Sequence, residues 1–177
     1  MREENKYNTM IAVREHHKEA ESLGYKVFVT VLQGSQNYDL DIYNGDYKSD
    51  VDTKCVVIPS FEDFCSNKST VSTTHIRRDN SHIDIKDVNT MFQTFKKQNV
   101  NFVEILFSDY WCAEPDYTDL WYELKDNAER IVHANPCQTV KTMCGMSMEK
   151  YKALKHPYPT IIDKIEKYGY DGKQLHH

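Results

Sequence analysis

The sequence predicts an α/β (α+β) protein: a small mixed β-sheet with helices packed on one side, followed by a helical C-terminal portion. Two observations predict it. Strand-type runs fall in the first half of the chain, at Tyr25 to Leu32 (YKVFVTVL), Val51 to Ile58 (VDTKCVVI) and His82 to Val88 (HIDIKDV). β-Branched and aromatic residues dominate the first two, and the third alternates apolar with polar side chains, the period of two that marks a strand. The second half instead repeats its apolar residues every three to four positions, as amphipathic helices do.

Taken in order, Glu4 to Ser22 reads as a helix with a modest apolar stripe, ended by Gly24 as its C-cap. The first strand lies between Gly24 and Gly34, and the second stops at Pro59. Residues 35–49 between them, rich in Asn, Asp, Gly and Tyr, read as loop. Phe61 to Thr74 fits neither period. Val88, Met91, Phe92 and Phe95 then fall at i, i+3, i+4 and i+7, one helix face. Phe102, Val103, Leu106 and Phe107 suggest a short helix, and Leu120, Trp121, Leu124, Ala128 and Ile131 a longer one. Pro136 interrupts, and Cys137, Val140, Cys144, Met148 and Tyr151 continue as a helix. A polar stretch with Pro157 and Pro159 precedes a last helix near Ile161 to Tyr168. The expected division is a catalytic core over residues 1–112 and a helical portion over 113–177. Tyr170 to His177 look like the opening of one more helix, with Asp171 as N-cap and Leu175 as its first inward residue, so the helical portion reads as truncated.

Composition narrows the function. The 177 residues are 40% hydrophobic and 12% aromatic, enough for a globular core. The formal net charge is −5, and no basic run reaches five residues. A broad nucleic-acid platform needs a basic face to release counterions, so a small substrate or brief contact with one nucleic-acid end fits better. The five cysteines, Cys55, Cys65, Cys112, Cys137 and Cys144, form no C-x-x-C pair. They read as reduced, mostly buried thiols, which with the charged start MREENKYN suggests a cytoplasmic protein. No segment approaches ~18 consecutive apolar residues, so no membrane span is expected.

The stretch LQGSQNYDLDIYNGDYKSDVDTKCVVI carries the chemistry. It sets Gly34-Ser35 at the end of one strand and Asp50-Val51-Asp52 at the start of the next. Side chains two apart in a strand share a face, so Asp50 and Asp52 project together, with Lys54, Val56 and Ile58 continuing that face. Two adjacent carboxylates repel unless a cation lies between them, and Mg²⁺, or Mn²⁺ in its place, is the natural hard cation. Asp84, in Ile83-Asp84-Ile85, completes a three-carboxylate cluster if its strand neighbours the second. Such a cluster suits two divalent ions, one acting on an attacking hydroxyl and one on the triphosphate. The Gly34-Ser35 turn offers backbone N–H groups and a hydroxyl to phosphate oxygens. Each piece alone is common in proteins, and the order of the pieces is what points to a nucleotidyltransferase.

That order resembles the signature of the polymerase-beta nucleotidyltransferase superfamily, a Gly-Ser pair followed by D-x-D and a later lone Asp. GSQNYDL with SDVD resembles the corresponding pieces of the predicted nucleotidyltransferases of the RNA-repair-pathway DNA polymerase beta family. DIKDVNTMFQTFKKQNVNFVEILFSD and KYGYDGKQLHH resemble further segments of that family, with Asp39 departing from its usual Gly. The resemblance implies a sheet of nucleotidyltransferase type, Asp50, Asp52 and Asp84 as metal ligands and catalytic residues, and Gly34 and Ser35 at the phosphates of an NTP. Tyr38, Ser49 and Lys86 are further candidates for NTP contact. Tyr38 could equally pack the loop, and Lys86 could be a plain surface charge. The acceptor, an RNA end, a protein or a small molecule, stays open. The rival reading is a non-catalytic nucleotide-binding or regulatory module on the same fold. His16 and His17 are adjacent, so they cannot share a helix face as ligands and read as solvated. Lys141, Lys150, Lys152 and Lys155 read as a solvated helix face. Glu104 reads as a cap or ion-pair residue, with a site role implied only by the resemblance.

Overall fold

The computed structural model describes residues 2–40, 43–44, 47–66 and 71–155. The segments assigned from sequence to Ile161–Tyr168 and Tyr170–His177 lie outside the described residues. The chain divides into two compact units, residues 1–134 and 135–177.

In the first unit, α1 (Arg2–Ser22) precedes β1 (Lys26–Gln33), and a 3₁₀ turn spans Ser35–Tyr38. A two-stranded ribbon of β2 (Tyr43–Asn44) and β3 (Tyr47–Lys48) leads to β4 (Asp52–Ile58). Then come α2 (Phe61–Ser66), β5 (Ser72–Ile76), β6 (His82–Asp87), α3 (Val88–Lys96) and α4 (Val100–Val103). A 3₁₀ turn over Glu104–Phe107, β7 (Trp111–Ala113), α5 (Thr118–Asp126) and α6 (Ala128–Val132) complete it. The main sheet runs β5-β6-β4-β1-β7, with β4 and β6 parallel and the other pairs antiparallel. The mixed α/β class expected from the sequence is therefore present.

Helices cover both faces of the sheet, where one-sided packing was expected. On one face Ala20 of α1 packs with Val27, Cys55, Val57, Ile83 and Ile85. On the other, Val29, Val31 and Val56 meet Met91, Phe95, Phe102 and Trp121 of α3 to α5. Two apolar faces follow from the strands themselves. β4 has five consecutive buried residues, Thr53 to Val57, so neither of its faces is left to water. A register shift between Val27 and Val29 breaks the alternation of β1, so Phe28 and Val29 both join the α3–α5 side.

Local signals explain the junctions. Gly24, at φ 90°, ends α1 in the left-handed region that glycine tolerates. Asp87, fully buried, caps α3 by accepting from Thr90 N (2.7 Å) and also accepts from Val71 N (2.8 Å), tying β5 to the sheet. Asn127 separates α5 from α6 where one longer helix was expected.

Two further sequence expectations are corrected. His16 and His17 are buried, at 0% and 3% exposure, instead of solvated. Neighbouring helix residues diverge by about 100°, and a helix lying flat on a sheet buries a stripe wide enough to take both. His16 Nδ1 meets Thr53 Oγ1 of β4 at 2.9 Å, and His17 Nδ1 meets Thr30 Oγ1 of β1 at 3.2 Å. The thiols are also less buried than expected. All five cysteines are free, but Cys55 alone is fully buried.

In the second unit, α7 (Pro136–Lys155) begins after Asn135, whose side-chain oxygen accepts from Gln138 N at 3.1 Å. Lys141, Lys150, Lys152 and Lys155 are exposed on it, as expected. Among the described residues no helix is long and apolar enough to cross a membrane.

Candidate active site

Three neighbouring strands, β6, β4 and β1, meet at one end of the sheet. The antiparallel register sets Gln33, the last residue of β1, opposite Asp52, the first of β4. The Gly34-Ser35 turn therefore leaves β1 beside the start of β4. The parallel register sets Lys54 opposite Asp84 on β6. Paired residues share a face, so Asp52, Lys54 and Asp84 lie on the same side of the sheet. This is the side of the Phe102 and Trp121 core, and polar residues replace apolar ones toward the strand ends.

Gly34 has φ 112°, a conformation that strains any side chain. Each residue after Ser35 ties the turn to a different part of the fold. Gln36 Nε2 donates to the Asp50 carbonyl at 2.6 Å. Asn37 Nδ2 donates to the Leu32 carbonyl at 3.1 Å, and its Oδ1 accepts from Ser108 Oγ at 2.7 Å. Tyr38 Oη donates to Glu104 Oε2 at 2.8 Å. Partial burial, and then the Glu104 carboxylate beside it, push the Tyr38 phenol up to about 12.

The acids divide by partner. Asp50 is exposed just before β4. With Ser49 and Val51 it borders a cleft of about 480 Å³ on the α1 side, closed by His16, Arg77 and Ser81. Asp52 Oδ1 accepts from His82 N at 2.8 Å and lies 3.1 Å from His82 Nδ1. Asp84 lies between two ammonium groups, Lys54 Nζ at 3.1 Å on Oδ2 and Lys86 Nζ at 3.1 Å on Oδ1. Lys86 also reaches Ser72 Oγ at 3.3 Å, so its charge is directed along the β5–β6 edge.

No family model matches this chain. No curated protein matches it either.

Reasoning from the sequence missed Lys54 and Gln36. Lys54 is 5% exposed, with its ammonium 4.9 Å from the centre of the Phe102 ring as well as on Asp84. A lysine inside a buried strand, two residues after D-x-D, was the available signal, because an amine there needs a carboxylate within reach. Glu104 is half-buried, and desolvation raises its carboxyl pKa against the opposing pull of Tyr38 and Lys54. Gln36 carries no such signal, since its partner is a main-chain oxygen fourteen residues away.

The donor chemistry at this end of the sheet suits a hard divalent cation: carboxylates from Asp50, Asp52 and Asp84, two of them on one face. The three are not drawn together as a ready ligand set. Among the described residues, the one group of three His, Cys, Asp or Glu with ligand atoms within 4.8 Å of one another is His17, Glu21 and Glu114. That group lies on the opposite, α1-covered face. His17 there has Thr30 on Nδ1 and Glu114 on Nε2, at 3.2 and 3.3 Å, so hydrogen bonding accounts for both ring nitrogens. A cation among Asp50, Asp52 and Asp84 would have to compete with Lys54 and Lys86 for Asp84.

Proposed function

We propose that this chain is a metal-dependent nucleotidyltransferase, moving a nucleotide from an NTP to a hydroxyl or phosphate acceptor. One observation carries the reading. The Gly34-Ser35 turn, Asp52 and Asp84 belong to three adjacent strands and gather at one end of the sheet, with both acids on one face. In the reaction, an acceptor oxygen attacks the α-phosphorus, the bond to the bridging oxygen breaks, and pyrophosphate leaves with that electron pair. A divalent cation on Asp50, Asp52 and Asp84 would lower the acceptor's pKa and offset the triphosphate charge. The Gly34-Ser35 turn supplies N–H and hydroxyl donors to phosphate oxygens without a Cβ in the way. Lys54 and Lys86 hold positive charge beside Asp84 where phosphate charge would collect.

The test is incubation with each α-³²P-labelled NTP, Mg²⁺ or Mn²⁺, and RNA, protein and small-molecule fractions of a lysate. Label transferred by wild type and not by Asp52→Asn supports the reading; no transfer to any fraction counts against it. A second reading, nucleotide binding without turnover, is favoured by the bridging of Asp84 between two lysines. It predicts saturable NTP binding with no labelled product.

A further inference from the structure

Gln36 is 6% exposed, in the 3₁₀ turn that follows Gly34. Its Nε2 donates to the main-chain oxygen of Asp50 at 2.6 Å, which joins the turn at the end of β1 to the acidic residue before β4. Its Oε1 has no hydrogen-bond partner among the described residues. That oxygen lies beside Gly34, where an added Cβ would be 3.7 Å from it. A buried acceptor without a partner is rare in folded proteins and costly to keep. An apolar side chain of the same length would fill this space without that cost. What an apolar residue cannot do is donate to Asp50.

The neighbouring anchors show that Gln36 has a distinct task. Asn37 fixes the turn to Leu32 and Ser108, and Tyr38 fixes it to Glu104. The turn is therefore held to the body of the fold at two points that do not involve the acids. The Gln36 amide alone among these links sets the phosphate-side turn against Asp50.

We propose that Gln36 is a positioning residue: its amide holds Asp50 in register with the Gly34-Ser35 turn, so that a divalent cation and a triphosphate are met together. The inference rests on the nucleotidyltransferase reading. The donated N–H is the working part, because it fixes the main chain from which the Asp50 carboxylate projects.

The experiment measures Mn²⁺ binding by electron paramagnetic resonance, with and without a non-hydrolysable NTP, alongside thermal unfolding of the same samples. Four proteins are compared: wild type, Asp52→Asn, Gln36→Met and Gln36→Glu. Gln36→Met keeps length and volume and loses both polar atoms; Gln36→Glu keeps the acceptor and loses the donor. Partners that orient metal ligands typically contribute about 10- to 100-fold in affinity. The expected result is a Mn²⁺ midpoint raised about tenfold or more in both Gln36 variants, at a temperature where unfolding shows every sample native. Wild-type affinity in both, or in Gln36→Glu alone, overturns the positioning role while the nucleotidyltransferase reading survives. Wild-type protein that binds no Mn²⁺, with or without the NTP, overturns both. A loss of binding that tracks loss of folded protein across the variants also overturns the inference, since Gln36 would then be structural only.

Discussion

Lys54 and Asp84 show how far a single residue's chemistry depends on its partner. Lys54 is nearly buried and its ammonium is 3.1 Å from Asp84. Removing Asp84 leaves that charge uncompensated, so Asp84→Ala is expected to cost about 3 kcal/mol, and Lys86, a second cation on the same carboxylate, cannot replace it. Lys54→Met removes the buried charge itself and packs against Phe102, so it should cost far less. Urea unfolding of the two variants checks the order, and equal losses would show that the pair is not stability-coupled. Asp52 differs, because it is 40% exposed and its Oδ1 takes the His82 N–H. Asp52→Ala should cost only about 1 kcal/mol of stability and yet remove any nucleotidyl transfer. Residual turnover within about tenfold of wild type, a barrier change under ~1.4 kcal/mol, would contradict its assigned role. At this scale the acids were legible and their neighbours were not. Asp50 and Asp52 declare themselves by their D-x-D spacing at the entry to β4, whereas Lys54 and Gln36 acquire meaning only from Asp84 and Asp50 brought close by folding.

Helix α1 makes the argument for elements. Burial, and then Arg77 beside it, hold the His16 pKa down from 6.5 to about 4, with Asp79, Glu19 and Asp52 pulling more weakly the other way. Between those two values the unfolded chain binds a proton that the folded chain refuses. Stability is thus complete above the unfolded pKa and is lost as pH falls from about 6.5 toward about 4. At about 1.4 kcal/mol per unit, the loss reaches at most roughly 3 kcal/mol. His16→Asn should flatten the difference between urea-unfolding free energies measured at about pH 7 and about pH 4.5. An unchanged slope would mean that another group carries it. The elements that escaped the sequence reading share a cause. Strand β7 has three residues, all half-buried at the sheet edge, too few to show a period. The break between α5 and α6 at Asn127 interrupts an apolar stripe that itself continues, from Trp121 to Ala128 and Ile131.

For the molecule as a whole, both apolar clusters lie within residues 1–134. A protein of residues 1–134 is therefore expected to unfold in one cooperative transition, followed by circular dichroism. Within it, Trp121→Ala should cost about 4 kcal/mol, because Trp121 is fully buried against Phe28 and Trp111. A non-cooperative melt of the 1–134 protein would show that the first unit does not hold itself together. By itself the sequence determined the class of fold and its three central strands, and it singled out the Gly34-Ser35, Asp52 and Asp84 pieces of the proposed site. Those follow from periods of two and 3.6 and from charges that break them, which are properties of short stretches of chain. Tertiary structure alone decided that α1 covers the second sheet face and buries His16 and His17. It alone decided that Lys54 and Lys86 bracket Asp84, and that Gln36 joins the Gly34-Ser35 turn to Asp50. Apart from Lys86, which already neighbours Asp84 along β6, each of these joins different elements, and the Lys54–Asp84 contact exists only after the β4–β6 register is set.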